Sequence, residues 1–421
     1  MKIFLIFLTF LALSIEAKLK IEISQGSKDS PKIAIVPFKS NMKIGESISS
    51  LIQDNLTLFG EFRALPKNEM LSFPSKEENF FYRDWNILNV DYVVIGNFQE
   101  ENSQFINIEY FVFNISLNKL ILRGDVSGNY SEKEKISKVI SNRVYKSITG
   151  LNGVFDTKIA YILSPSREEY KICISDIDGT DEEVLFESSA PLMSPSWSSD
   201  LKKLAYVSFE KGYPEIYMQD LFSGERESIK TLGLSNSAPV WSPDNKKLAF
   251  VMSSSGNPDI YIYNLRNKKI SRHTTHYGID TEPAWSPNSK KLLFTSNRSG
   301  SPQIYELTVS SNRIKRVTLD GDYNARASYF PDGKDIVLVH GNNGVFHIGT
   351  KKLRSRFINT ISKTTLDESP TISPNGNIVI YATKNNSQGY LAGLTLDGKS
   401  KFTLPVKFGS VREPAWSPYM N

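Results

Sequence analysis

The hydrophobic pattern of the chain changes near Gly150. Before this residue, strand and helix signals alternate. A β-branched run at residues 32–38 predicts a buried strand, and apolar side chains then recur at helical spacing from Ile48 to Phe59. Further strands are predicted at residues 91–98, 105–114 and 119–126, the last two as a hairpin.

The clearest helix of this region is the last one. Ser131 and Glu134 have the spacing of a capping box at its start, and Gly150 is typical of a helix end. One face of this helix carries Ile136, Val139, Ile140, Val144 and Ile148. Helices beside a small sheet predict an α/β domain over residues 31–150.

Beyond Gly150 a repeat replaces the helical period. Trp197 and Trp241 are 44 residues apart, as are Trp241 and Trp285, and each follows a proline by two positions. The six equivalent positions of the repeat are Trp197, Trp241, Trp285, Tyr329, Ile372 and Trp416. Each copy continues with short alternating segments, and four short strands in about 40–45 residues are typical of a propeller blade. The sequence therefore predicts a six-bladed β-propeller over residues 151–421.

The first and last repeats are both incomplete. The first blade has candidate strands from Lys158 onward but no Trp-Ser strand before them, whereas residues 413–417 form such a strand with no blade of their own. We predict that the C-terminal strand fills the innermost place of blade one and closes the ring without a free edge.

The N-terminus has the features of an export signal. Lys2 gives a positive start, residues 3–13 are apolar, and Ala17 suits a cleavage site. The apolar stretch is shorter than the roughly 20 residues that span a bilayer. Residues 1–17 therefore predict a signal peptide, and residues 18–30 an N-terminal arm on a soluble exported chain.

Composition excludes some classes of function and leaves others open. The net charge of +5 arises from 50 basic and 45 acidic residues that are interspersed, which gives no reason to expect a nucleic-acid partner. Cys173 is the only cysteine, so no internal disulfide forms, and its alternating surroundings predict a packed side chain in a strand.

Several segments resemble the TolB family over essentially the whole chain after residue 17. They are residues 32–38, 85–96, 149–161, 192–197, 366–370 and 414–419. The resemblance implies a periplasmic adaptor of the Tol-Pal system in Gram-negative bacteria. It would bind the lipoprotein Pal through the propeller mouth, and TolA through the arm, and so support outer-membrane integrity and envelope constriction in division. A closed ring needs no partner for stability, so a monomer associated with the outer membrane through Pal is expected.

Geometry and resemblance together select candidate site residues. Loops that enter the innermost strands surround one end of a propeller channel, and we expect this ring to be polar, without a large apolar patch. The candidates for the Pal site are Asn236, Ala238, Thr281, Glu282, Asn324, Arg326, Asp367, Glu368, Arg412 and Glu413. The family pattern is matched best at Thr281 and Glu282, whereas Ser235 replaces a histidine that is frequent in relatives. The candidates for the TolA site are Lys18, Leu19, Lys20, Ile21, Glu22 and Ile23.

Other functions remain open at this point. The sequence has no Gly-x-Ser-x-Gly elbow, phosphate loop or His-Glu-x-x-His site, so no enzyme and no cofactor is expected. Clustered carboxylates at the mouth offer an alternative as a Ca²⁺ site. A second alternative is an exported hydrolase, in which carboxylates from distant blades would act together in the channel. A third alternative is a ligand-sensing propeller unrelated to Tol-Pal, which would leave the arm unexplained.

Overall fold

The structure is a computed structural model that describes residues 22–25, 29–40, 44–101, 104–231, 235–254, 256–364, 366–385, 388–404 and 409–420. The predicted signal peptide and residues Lys18 to Ile21 of the predicted arm lie outside these ranges. Within them, no helix is both long and apolar enough to cross a bilayer.

The N-terminal half is built on one mixed five-stranded sheet with the order β3-β2-β4-β5-β6. Strand β1 belongs to the arm. The strands are β1 (Glu22–Gln25), β2 (Lys32–Ile35), β3 (Arg63–Ala64), β4 (Tyr92–Glu101), β5 (Phe105–Asn114) and β6 (Lys119–Asn129), and the helices are α1 (Ile44–Thr57), α2 (Tyr82–Asn86) and α3 (Lys133–Thr149). Short 3₁₀ turns occupy Lys67–Glu69, Glu77–Asn79 and Tyr130–Glu132. Helices α1 and α3 cover one sheet face, and the loop and α2 around Trp85 cover the other.

The start of α3 differs from its prediction. Asn129, and not Ser131, is the capping side chain: its carbonyl oxygen accepts bonds from the Ser131 amide at 2.9 Å and hydroxyl at 2.7 Å. These bonds stabilise a 3₁₀ turn, so α3 begins one residue later than a capping box at Ser131 and Glu134 requires, and that prediction is wrong. The predicted end is confirmed, because Gly150 adopts a left-handed conformation with φ 78°.

The C-terminal half forms six blades. The strands of blades 1 to 3 are β7 (Lys158–Ser166), β8 (Glu169–Asp176), β9 (Glu183–Ser188), β10 (Leu192–Trp197), β11 (Lys203–Ser208), β12 (Glu215–Asp220), β13 (Arg226–Ser228), β14 (Ser235–Trp241), β15 (Lys247–Ser253), β16 (Pro258–Asn264) and β17 (Ile270–Arg272). Those of blades 4 to 6 are β18 (Asp280–Trp285), β19 (Lys291–Ser296), β20 (Gln303–Thr308), β21 (Arg313–Arg316), β22 (Tyr323–Tyr329), β23 (Asp335–Asn342), β24 (Val345–Lys352), β25 (Asn359–Thr360), β26 (Glu368–Ile372), β27 (Ile378–Asn385), β28 (Gln388–Thr395) and β29 (Lys401–Leu404). The last strand is β30 (Ser410–Trp416).

The C-terminal strand closes the ring as predicted. Blade 1 has the order β30-β7-β8-β9, with Trp416 opposite Ile159 in an antiparallel register. The amide of Lys158 donates to the Ser417 hydroxyl at 2.9 Å. The predicted α/β domain followed by a closed six-bladed propeller is confirmed, and Cys173 is buried in blade 1.

The arm is docked on blade 6. Strand β1 lies antiparallel to β29 as a fifth strand, with Glu22 opposite Thr403 and Ile23 opposite Phe402. The adjoining backbone carbonyl of Gly60 accepts bonds from Ser30 at 3.0 Å and from Ser400 at 2.8 Å. Arm, α/β domain and propeller therefore meet at one junction.

A carboxylate lies at this junction between the two domains. Glu61 accepts hydrogen bonds from the Tyr145 hydroxyl at 3.0 Å and from the Asn377 amide of blade 6 at 2.7 Å. Burial raises the pKa of Glu61 to about 7, although both hydrogen bonds act to lower it. Between about pH 4.5 and pH 7, the Glu61 carboxyl of the folded protein is therefore mostly protonated.

We expect stability to fall as pH rises from about 4.5 to about 7. In this pH range the folded state holds a proton on Glu61 that the unfolded state has released. The free energy of unfolding is therefore largest below the unfolded pKa of Glu61, and it falls by about 3 kcal/mol across this window. Urea unfolding at pH 5 and pH 8 measures the loss, and Glu61→Gln should remove most of it.

The variant also separates Glu61 from other titrating groups. The Asp176 carboxylate has a lowered pKa, because bonds to Lys138 and Lys158 outweigh burial, so its contribution is lost only below this window. Equal pH slopes for the unaltered chain and the variant would contradict the prediction.

Candidate functional site: the mouth and channel of the propeller

The mouth is the end of the ring where every innermost strand begins. The loops between blades and the turns between second and third strands lie at this end, as blade topology requires. The α/β domain packs at the opposite end, where Asn377 of blade 6 donates to the Glu61 carboxylate at 2.7 Å. The mouth is therefore left open by the α/β domain.

Each innermost strand carries one β-bulge at the same position. The register shifts once in β10, β14, β18, β22, β26 and β30. One residue with φ between 48° and 55° accompanies each shift: Ser194, Ala238, Glu282, Arg326, Ser369 and Glu413. Positive φ at residues other than glycine is strained, and such strain often accompanies functional positions. All six residues line the channel.

Charged side chains link blades 4, 5 and 6 at this level. The Arg326 Nε donates to Glu282 Oε1 at 2.7 Å, and the Arg326 backbone amide donates to Glu282 Oε2 at 3.0 Å. Thr295 also donates to this carboxylate, and Arg326 Nη1 donates to the Ser369 hydroxyl. Glu282 and Arg326 are thus structural links as well as candidate contacts.

A second carboxylate links blades 1 and 2. Glu413 Oε2 accepts the Ser194 amide at 2.7 Å and its hydroxyl at 3.3 Å. Burial acts to lower the pKa of Arg326, but the carboxylates of Glu282, Glu413 and Glu368 outweigh it and hold that pKa above its usual value. The mouth thus surrounds one guanidinium with acidic groups.

Three of the predicted site residues, in addition to the buried Glu413 described above, do not face solvent. Asn236, Asn324 and Asp367 are at most 2% exposed. Asn324 bonds Gln303 and His340, and Asp367 accepts bonds from Ser362 and Thr364. These side chains hold the mouth loops against the innermost strands.

The remaining predicted residues, like Asn236 and Asn324, lie on innermost strands and not in the loops as expected, because the strands begin earlier than the sequence indicated. Thr281 and Arg412 are partly exposed, and Glu368 is exposed. The Arg412 guanidinium lies 5.7 Å over the Tyr170 ring. Sequence analysis missed two of the bulge positions, Ser194 and Ser369. Each directly precedes the proline of its repeat, Pro195 or Pro370, so the repeat could have identified them.

The mouth also carries exposed apolar side chains, which lie on separate loops and turns. Tyr277, which is 86% exposed, and Ile279 lie on the loop between blades 3 and 4. The other exposed apolar side chains of mouth loops and turns are Tyr213, Leu319, Val345 and Leu366. We call these six side chains the apolar rim. They escaped the sequence analysis because loop residues have no period that indicates burial or exposure.

Two cavities open at the mouth. One, of about 360 Å³, lies beside blade 5 and is lined by Tyr323, Phe346, Leu366 and Glu368 among others. The second, of about 700 Å³, lies between blades 6 and 1, beside Arg167, Lys384 and Arg412. The mouth is therefore an uneven surface of apolar and charged groups, which suits a protein partner.

The described residues support a metal site less well than a protein-binding site, and they include only part of the predicted TolA segment. Within them, no three or more His, Cys, Asp or Glu side chains are grouped to hold a metal ion. Two of the carboxylates proposed for Ca²⁺, Glu282 and Glu413, instead accept hydrogen bonds from a neighbouring blade. Of the predicted TolA residues, only Glu22 and Ile23 are described, both within the docked strand β1.

Sequence and structure comparisons identify the family. A family model for the TolB amino-terminal domain matches residues 19–121, and one for the TolB beta propeller domain matches residues 145–420. The chain belongs to the TolB family. It is 51% identical over 411 residues to the Tol-Pal system protein TolB of Hahella chejuensis, with 96% of each chain covered. It is 46% identical to that of Alcanivorax borkumensis, with 97% of this chain and 95% of the relative covered.

A solved structure supports the same assignment. The crystal structure of TolB from Acinetobacter baumannii matches with a TM-score of 0.88 at 36% identity, covering 96% of this chain and 100% of the other. The resemblance inferred from the sequence motifs is confirmed, and both TolB domains are present in the expected order. The family assignment thus makes this chain a Tol-Pal system protein.

Proposed function

We propose that this TolB-family chain is a periplasmic adaptor, exported by its signal peptide, that binds Pal at the propeller mouth and TolA through its N-terminal arm. In this role it associates with the outer membrane through Pal and supports outer-membrane integrity and envelope constriction during division. Family membership supports the Tol-Pal assignment. The observation that carries the Pal site is the apolar rim around a charged mouth, at the end the α/β domain leaves open.

The composition of the mouth favours a protein partner. Exposed aromatic and aliphatic side chains supply area that loses water on binding, and Tyr is enriched among residues that dominate interface energies. Glu368 and Lys384 add charges that set association rate and specificity. Such a combination of groups suits a folded partner such as the soluble domain of Pal.

The arm suits a partner that competes for an edge strand. Strand β1 makes a short pairing with the outer edge of blade 6, with three residue pairs and a register shift between Ile23 and Gln25. A strand held by few pairs separates at low cost, and extended segments are recognised by adding to another sheet. We infer that TolA binds residues 18–23 of the arm, either while the arm is paired with blade 6 or after the arm has separated from that blade.

The hydrolase alternative fits the channel less well. It would require two carboxylates free to act as acid and base. Glu282 and Glu413, the carboxylates of the bulge positions, each accept hydrogen bonds from a neighbouring blade. The adaptor proposal is therefore the better account of these residues.

Calorimetric titration of residues 18–421 with the soluble domain of Pal from the same organism tests the proposal. We expect saturable one-to-one binding, and at least about a tenfold weaker affinity for Tyr277→Ala, because an exposed aromatic anchor is lost. Phe222→Ala is the matched control: Phe222 is 84% exposed but lies at the opposite end of blade 2, so its loss should change affinity less than about twofold. Glu282→Ala is a poor probe, because it also removes a link between blades.

Two outcomes would count against the proposal. No binding at about 100 μM would remove Pal as the partner. Equal loss for both aromatic variants would move the site away from the mouth. The same titration with the soluble part of TolA tests the arm: a chain that starts at Asp29 should lose TolA binding and keep Pal binding.

A further inference from the structure

The end of the propeller opposite the mouth has an uneven charge distribution. The turns of blades 3, 4 and 5 at this end contain fifteen Lys and Arg residues and three Asp residues, although the whole chain has a net charge of only +5. The corresponding turn of blade 1, residues 176–183, has five acidic and no basic residues. We call the basic region the basic face, and it consists of residues 242–247, 264–270, 286–291, 308–316, 330–335 and 351–358.

These turns form one continuous surface. The Asp244 amide of blade 3 donates to the Ser289 hydroxyl of blade 4 at 3.1 Å. The turn of blade 5 at Gly333 lies against Pro287 of blade 4. The described hydrogen bonds of the α/β domain at this end go to blades 6 and 1, for example from Asn377 of blade 6 to Glu61 and from Lys138 of α3 to Asp176 of blade 1. The domain thus leaves blades 3 to 5 uncovered.

Most charges of the basic face have no carboxylate partner. Lys268 pairs with Glu227, and Lys291 and Lys315 share Glu306. None of the other twelve cations has an ion-pair partner among the described residues, and eleven of them reach the surface, since Lys351 is buried in its turn. Cations concentrated in this way repel one another, and an anionic surface relieves that repulsion.

The turn at residues 351–358 places an aromatic side chain among the cations. Lys352, Arg354 and Arg356 are exposed, and Phe357 is 78% exposed in this turn of blade 5. Local bonds hold the turn, since the buried Lys351 Nζ donates to the Lys352 carbonyl at 3.1 Å and the Phe357 amide donates to the Ser355 hydroxyl at 3.1 Å. The structure therefore keeps a large apolar side chain in water beside three cations.

We propose that the basic face is a docking surface for an anionic phospholipid membrane, with Phe357 in the headgroup region and the surrounding Lys and Arg side chains against lipid phosphates. Aromatic side chains beside Lys and Arg are typical of proteins that lie at a membrane surface, because the ring enters the interface while the cations contact headgroups. Charges spread over three blades match a planar partner. The face lies opposite the mouth, so lipid and a mouth partner can bind together.

Sedimentation of residues 18–421 with lipid vesicles tests this proposal without Pal, so its result is independent of the proposed function. We expect binding to phosphatidylcholine vesicles that contain about 30% phosphatidylglycerol, little binding to pure phosphatidylcholine, and loss of binding near 0.5 M salt, roughly. Each basic residue at an anionic surface is worth about fivefold in affinity. Lys352→Glu, Arg354→Glu and Arg356→Glu together should weaken binding at least about 100-fold, and Phe357→Ala about fivefold.

A charge-matched control separates this surface from net charge. Arg83→Glu, Lys119→Glu and Lys135→Glu change three exposed residues of the α/β domain by the same total charge, and should weaken binding less than about threefold. Circular dichroism checks that each variant is folded. Equal loss for both triple variants, or no binding of the unaltered chain to anionic vesicles, overturns the proposal. One further result overturns the proposal: polyglutamate competes fully with the vesicles, and Phe357→Ala has no effect. The partner of the basic face would then be an acidic protein.

Discussion

A chain that ends at Arg412 will unfold at least about 5 °C below the full-length protein, because it has lost about 5 kcal/mol or more. The truncation removes the second half of β30, including Trp416, which is buried between blades 6 and 1. The Trp416 Nε1 donates to Thr157 at 2.8 Å, and its amide donates to Thr371 of blade 6 at 3.0 Å. Its loss exposes the edge of β7 and opens the ring.

Thermal unfolding followed by circular dichroism measures this effect. The matched control is a chain that ends at Tyr419, which loses only Met420 and Asn421 and keeps every residue of β30. Its midpoint should lie within about 2 °C of that of the full chain. If the shorter chain has the same midpoint as the control, closure by β30 does not stabilise the ring.

Phe59→Ala will lower the free energy of unfolding by about 3–5 kcal/mol, as is usual for a fully buried aromatic side chain. Phe59 follows α1, and its ring centroid lies 5.3 Å from that of Phe402 in blade 6 and 6.3 Å from that of Trp416 in blade 1. It thereby joins the α/β domain to both ends of the closed ring. Removing it leaves a cavity at the domain junction, so the two domains should begin to unfold separately.

Urea unfolding monitored by tryptophan fluorescence and by circular dichroism tests this prediction. Coincident transitions in the unaltered chain should separate in the variant. Phe357→Ala is the matched control, because the same side chain is removed from an exposed position, and it should change stability by less than about 0.5 kcal/mol. Equal small effects of both substitutions would mean that Phe59 does not couple the domains.

Blade 6 connects the proposed partner sites. Its outer edge holds the arm through β29, and its innermost strand carries Glu368 and Ser369 at the mouth. The same blade contacts the α/β domain through Asn377 and Ser400. A partner that removes the arm from β29 therefore acts on the sheet that also forms part of the mouth.

The sequence by itself determined the architecture. The 44-residue interval identified each blade, because strands repeat burial every second residue and turns require Pro, Asp or Asn at set positions. The missing strand of the first repeat and the extra strand at the C-terminus together required closure. Apolar spacing likewise predicted the buried face of α3, including Ile136 and Val144.

Only the tertiary structure decided which residues meet and which reach water. Periodicity reports burial along one element, but it carries no information on partners such as Glu61 and Asn377, which are 316 positions apart. The pairing of Glu282 with Arg326 joins blades 4 and 5, so it depends on how neighbouring blades are placed. The exposed Tyr277 and the buried Asp367 are both loop residues, and loops have no regular burial pattern. The site is therefore set by contacts between blades, which local sequence does not encode.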